Sequence, residues 1–210
     1  MSIVKIRAAL ESGLAAMPAL IPASPIATFN NGLFTTSAPH LLLTGLNVTI
    51  SGCGVGIDGS YAIVVVSPTT FTLQNLTTKA PFVSAATGVG GVVTANLIAW
   101  EGVTFPTVPN APYISVRMLP ARPENPTFGG AHSREIGLLQ LTLYYPTQRG
   151  TNAIMTRAEL IRSTFPRGAS FSNGGVVVNI PHKPELYPAM VGEEIITCII
   201  RIPYWADLFS

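Results

Sequence analysis

Three histidines, His40, His132 and His182, are the side chains in this sequence best suited to bind a metal or move a proton. They fall in separate segments, and none has a second ligand at a metal-site spacing such as HxxxH or CxxC. Each reads as a structural or surface residue. Glu193 and Glu194 could share acid–base work only if they faced one way. They flank a strand start, where successive side chains point to opposite faces. Glu135 stands apart from both. The run GVGG at Gly88 to Gly91 lacks the Lys-Ser/Thr of a phosphate loop and opens no helix. No serine lies in a G-x-S-x-G frame. Cys53 and Cys198 are far apart and read as unpaired small hydrophobes in a reducing compartment. The expectation is a protein without a catalytic residue, a metal or a cofactor.

One segment keeps functional potential. Pro120 to Arg134, PARPENPTFGGAHSR, holds three prolines and the pair Gly129-Gly130, which exclude regular structure. Loops this long are usually functional or disordered. This one carries Arg122, Glu124, Asn125, Phe128 and Arg134, with Glu135 next in sequence. Charge-assisted pairs on such a loop set the register of a contact more than they add affinity. Trp100 and Trp205 read as core or interface anchors rather than a sugar platform. The candidate contact set is therefore Arg122, Glu124, Asn125, Phe128, Arg134, Glu135 and Trp205.

Composition points the same way. Charged residues make up 10% of the 210, against about 25% in an average soluble protein. Mean hydropathy is +0.43, yet no apolar run approaches the ~20 residues of a spanning helix. A surface largely covered by copies of the chain or by partners fits both facts. A net charge of +2 without a basic cluster offers no nucleic-acid site. The N-terminus faintly mimics a signal peptide, but Glu11 and Ser12 interrupt it. Ile3, Ile6, Leu10, Leu14 and Met17 instead recur at helical spacing, and Pro18 and Pro22 stop the helix.

Charge also marks boundaries. From Ala27 to Asn96 the only charged residues are Asp58 and Lys79. Within that block NVTIS and TTFTLQ alternate apolar with polar, SYAIVVVS runs apolar, and Gly, Pro and Asn punctuate them. Five or six short strands in a small barrel or sandwich are expected. The remainder reads as a host domain, residues 1–26 and 97–210, with 27–96 inserted. Its elements are strands at YISVRML, EIGLLQLTLYYP, GGVVVNIP and EIITCIIRI, and a helix over 151–165 capped by Thr151. The predicted class is α+β: a mainly antiparallel sheet packed with two helices, plus the small all-β insert. The last strand is apolar on both faces, Ile196, Cys198, Ile200 and Ile202 against Ile195, Thr197 and Ile199. One helix layer covers only half of that.

Two resemblances follow from these residues. The stretch TTSAPHLLLTGLNVTISGCGVGIDGSYAIVVVSPTTFTL, residues 35–73, resembles a small all-β module of phage and bacterial structural proteins. It names no activity. The host residues IRAALES, W-E-x-V-x-F at Trp100 to Phe105, APYISVRMLPARPENPTFGG, REIGLLQLTLYYP, ELIRSTFPRG and RIPYWAD resemble, in order, the tail-terminator family of long-tailed phages. The departure is the insert, which simpler members lack. The resemblance implies a virion protein assembled in the host cytoplasm. It implies a ring of six copies on the head-proximal end of the tail tube. The ring would stop tube growth and meet the head connector. The implied partners are the chain itself, the tail tube protein and the head–tail connector or stopper, with DNA passing only through the lumen and no membrane. Other expectations left open are a different head–tail joining protein, or a host-surface-binding protein acting through the insert. The insert is expected to project outward as decoration.

Overall fold

The structure, a computed structural model, describes residues 3–17, 21–40, 42, 44–54, 56–95, 97–103, 105, 111–125 and 132–209. The chain divides into two compact units. One is Met1–Met17 with Ile98–Val103 and Tyr113–Ser210; the other is Pro18–Leu97 with Thr104–Pro112.

The second unit is a barrel. Its strands are β1 (Ile21–Asn30), β2 (Leu33–Thr36), β3 (Asn47–Ser51), β4 (Gly59–Ser67), β5 (Thr70–Gln74), β6 (Thr87–Gly88) and β7 (Val92–Ala95). They run in the order β2-β5-β4-β3-β7-β1, and β1 pairs back to β2, so six strands close on themselves. Closure removes the open edges that a chargeless sheet would otherwise present. β6 adds to the far end of β1. The sequence offered little sign of β1, because Pro22 and Pro25 argue against a strand. The Asn31-Gly32 turn, both residues at positive φ, folds β1 onto β2. Period-two alternation buries Val48 and Ile50 and exposes Asn47, Thr49 and Ser51. A cross-strand ladder of Phe29, Phe34 and Phe71 fills the centre, with centroids 5.8 and 5.4 Å apart. The Asp58 carboxylate accepts N–H bonds from Cys53, Gly52 and Gly54 at 2.8 to 3.1 Å, which hold it below the usual carboxylate range. Its charge is tied down inside its own loop.

His40 is buried in this barrel, edge-on to Phe71. Its Nδ1 accepts the Leu42 N–H at 3.0 Å, so the hydrogen sits on Nε2. That atom lies toward the Thr70 and Ser67 backbone without a well-aligned bond. Burial holds His40 below its ordinary value, and those backbone groups offset this only in part. The unfolded chain takes up a proton below about pH 6.5 that the folded barrel refuses. Barrel stability is therefore full above that pH and falls as the pH drops toward the lowered folded value. No other barrel group except Asp58 titrates on the acid side, and Asp58 does so lower. The barrel's urea midpoint should decline between pH 7.5 and 5; a flat profile would contradict a buried neutral His40.

The first unit is built on a sheet. It contains α1 (Ile3–Ala15), β8 (Ile98–Ala99), β9 (Tyr113–Pro120), β10 (His132–Pro146), a 3₁₀ turn over Thr147–Arg149, α2 (Gly150–Thr164), β11 (Ser170–Asn173), β12 (Val176–Asn179), β13 (Glu185–Leu186), β14 (Met190–Val191) and β15 (Ile195–Phe209). The order is β11-β12-β15-β10-β9-β8, with β13 and β14 also on β15. All pairs are antiparallel except β8 with β9. β10 and β15 pair over all 15 residues. On one face Leu139, Leu141 and Leu143 meet Ile202, Ile200 and Cys198, all buried. α2 lays Ile154, Ala158 and Ile161 there, and α1 packs over β11 and β12 beside it. Gly13 has no room for a side chain, since a Cβ would meet Phe171 at 2.7 Å. Arg7 pairs with Glu11 one turn along α1 at 2.7 Å and ties the helix down by donating to the Glu101 carbonyl at 2.8 Å.

The structure overturns the α+β expectation. The chain is 49% strand and 16% helical, a mostly β protein with a closed barrel and a curled sheet. Strand content exceeds expectation for three physical reasons. β15 continues past Ile202 to Phe209, through Pro203. This is tolerated because its neighbour on that side changes from β13, whose pairing reaches Arg201, to β12, whose pairing starts at Trp205. Ser170–Asn173 forms a hairpin with β12 across Gly174-Gly175, both at positive φ. β1 closes the barrel despite its prolines. Thr151 lies inside α2 rather than before it.

Candidate functional site

Alternation along β9, β10 and β15 sends every second side chain to the face opposite the helices. Among the described residues no helix covers that face: α1 and α2 pack on the other side. Its residues are partly rather than fully buried, Ile136, Leu138, Thr142, Thr197 and Ile199 among them. Ile195 is 44% exposed and Phe209 79%.

Two arginines are fixed on this face. Arg134 lies 4.4 Å over the Trp205 ring and forks onto Asp207, with Nε to Oδ1 at 2.8 Å and Nη2 to Oδ2 at 3.1 Å. His132 Nε2 sits 3.0 Å from the same Oδ1, and its ring stacks on Phe209 with centroids 4.8 Å apart. The Arg134 fork, then His132, holds the Asp207 carboxyl below its usual range, and Asp207 raises Arg134 in turn. The cross-strand register explains the meeting: Arg134 pairs with Asp207, and Ile136 with Trp205. Toward the other end, Arg201 lies 4.9 Å over Tyr187, donates to its hydroxyl at 2.8 Å and reaches Gln140 at 3.3 Å. Tyr113 and Tyr144 stack at 4.5 Å. A cavity of about 440 Å³ opens beside the first cluster, lined among others by Glu124, Arg134, Leu138, Pro203 and Trp205.

This arrangement suits recognition of a surface. A planar guanidinium held against an aromatic ring loses little freedom on binding. Aromatic and arginine anchors carry most of the energy in protein contacts. Among the described residues of the face, no nucleophile is set beside a base. Among the described residues, no three of His, Cys, Asp and Glu are grouped to hold a metal, and no helix is long and apolar enough to cross a membrane.

A family model described as phage tail terminator protein matches residues 83–204, from within the barrel unit through β8 and the sheet to Tyr204. The chain belongs to the phage tail terminator family. It is accordingly a phage tail structural protein, associated with the virion. No curated protein matches it. A solved structure is similar at 20% identity, covering 55% of this chain and 82% of that one, with a TM-score of 0.48. The resemblance of residues 35–73 to a recurrent β-module lies outside the family match.

In this tail terminator family member, Glu124, Arg134 and Trp205 of the candidate contact set come together around the cavity. Glu124 reaches it because its backbone pairs with Arg134 in both directions, at 2.9 and 2.8 Å. Arg122 and Asn125 are exposed on the loop, outside that lining. Glu135 alternates to the other side. Its charge, after burial, helps push Tyr204 up to about 12. Tyr204 in turn lies over Gly137, where a Cβ would meet its hydroxyl. Phe128 lies outside the described residues. Sequence reasoning missed Asp207, His132, Arg201 and Tyr187. The signal for two of them was present: Arg201, Pro203, Trp205 and Asp207 continue the period-two alternation of β15.

Proposed function

We propose that six copies of this chain form a ring on the head-proximal end of the tail tube, stop its polymerisation and present a surface to the head connector. The ring carries no catalysis and needs no cofactor, and DNA meets it only in passage through the lumen. Family membership supports the setting. The observation that supports capping is the uncovered sheet face, with Arg134 and Trp205 locked as anchors beside a cavity. In this reading the end of the tail tube covers that face. Each subunit offers one copy, and weak contacts repeated around a ring sum to strong binding. The barrel unit projects as decoration, since its surface has almost no charge with which to steer a partner.

Electron microscopy of the purified chain tests the ring, and tube assembly with and without it tests capping. Closed rings of fixed copy number and tubes of arrested length are expected. A chain that stays monomeric and leaves tube growth unchanged overturns the proposal.

A further inference from the structure

Most charges of the sheet unit are already occupied. Arg7 pairs with Glu11, Arg134 with Asp207 and Arg162 with Glu159. Lys5 donates to the Gly174 carbonyl, and Arg201 lies on Tyr187. Among the described residues, two further groups of exposed charge, of opposite sign, sit at opposite ends of α2. At its C-terminal end, Arg167 and Lys183 join Arg162 around a depression of about 290 Å³. The one carboxylate in its lining, Glu159, is already 2.6 Å from Arg162. At the other end, Glu193 and Glu194 are exposed in the turn between β14 and β15. That turn is fixed to the lead-in of α2: the Thr147 N–H donates to the Glu194 carbonyl at 3.1 Å, and its hydroxyl to the Glu193 carbonyl at 3.2 Å. The 15 residues of α2 separate the two groups by about 22 Å at 1.5 Å per residue. The sign at each end suits the helix dipole, and among the described residues no ion pair takes up Arg167, Lys183, Glu193 or Glu194.

We propose that these are the two halves of the contact between neighbouring copies: the Glu193-Glu194 turn of one copy seats against Arg167 and Lys183 of the next, head to tail along α2. The proposal rests on the ring reading and adds which surfaces form the ring. A contact in which one patch of a copy meets the other patch of the next is heterologous, and repeated with rotation it closes into a ring. A two-fold contact at either patch would set like charges together and repel. Charge complementarity of this kind fixes register and partner choice, and it weakens as salt shortens the screening length.

The test uses the full chain and two double variants, R167E/K183E and E193K/E194K, followed by light scattering and electron microscopy. Each alone is expected to raise the concentration needed for half-assembly about tenfold or more, as repulsion replaces attraction, while the thermal transitions stay those of the parent. Mixed in equal amounts, the two variants should rebuild rings in which they alternate, since each turn then meets a cradle of opposite sign. One chain carrying all four reversals should also form rings. Rings from either double variant at parental concentration overturn the contact while leaving the ring reading intact. Loss of rings with no rescue on mixing overturns the pairing. So does inorganic phosphate or short duplex DNA binding the cradle of intact rings in a way that R167E/K183E abolishes. A parent chain that forms no ring at all removes the underlying reading instead.

Discussion

Ile200→Ala is expected to destabilise the sheet unit by about 3 to 4 kcal/mol, the cost of deleting a buried aliphatic side chain and leaving a cavity. Ile200 is fully buried. It pairs across with Leu141 on β10 and with Leu186 on β13, so rigid strands flank it and the site cannot collapse easily. α2 lies on the same face, which closes the hole from above. Its neighbour Ile199 supplies the contrast. Ile199 points to the uncovered face and is only half-buried, so Ile199→Ala should cost less than about 1.5 kcal/mol. Both are read from the sheet unit's own transition in denaturant, because the barrel has a separate core. Equal costs at the two positions would mean that the open face is not open.

Trp205→Ala is expected to weaken capping of the tail tube at least about 30-fold per contact, the scale of an interface hot spot of 2 kcal/mol or more. The ring is the platform on which Arg134 lies at 4.4 Å. Without it the guanidinium keeps its Asp207 fork but loses its fixed plane. Trp205→Phe keeps an apolar ring and should fall between the two. The fold should tolerate both changes, since Trp205 is only partly buried and its backbone pairing with Ile136 and Asn179 does not depend on the side chain. Tube length in assembly reactions is the measurement. Parental capping by a folded Trp205→Ala variant would remove the tube from this face.

The helix at the N-terminus was legible because Ile6, Leu10 and Leu14 repeat at the spacing that buries one stripe, though Ile3 stays 46% exposed. The strands at Tyr113 and Asn47 were legible through their alternation. The end of β15 was masked, because Pro203 normally ends a strand even though the alternation runs on through it. Only the gap between β12 and β13 beside it makes the proline harmless. The edge strand Ser170–Asn173 has no apolar pattern at all; it exists because a glycine turn returns it against β12. β1 was hidden for the same reason as β15, its prolines. These unseen strands turned the expected α+β class into a mostly β one.

The candidate site shows the same division. Arg134, Glu124 and Trp205 could be singled out by residue type, as charge and aromaticity in an otherwise bare chain. That they converge, and that Asp207 and His132 complete the group, is a matter of register between β10 and β15, which spans a sequence separation of 73 residues at Arg134 and Asp207. Sequence alone determined local periodicity, the nearly chargeless block between Ala27 and Asn96, and the family likeness, because each is written in neighbouring residues. Tertiary structure alone decided which face the helices leave uncovered and which charges remain unpaired. Those properties depend on distant strands meeting in one register, and no local pattern encodes that.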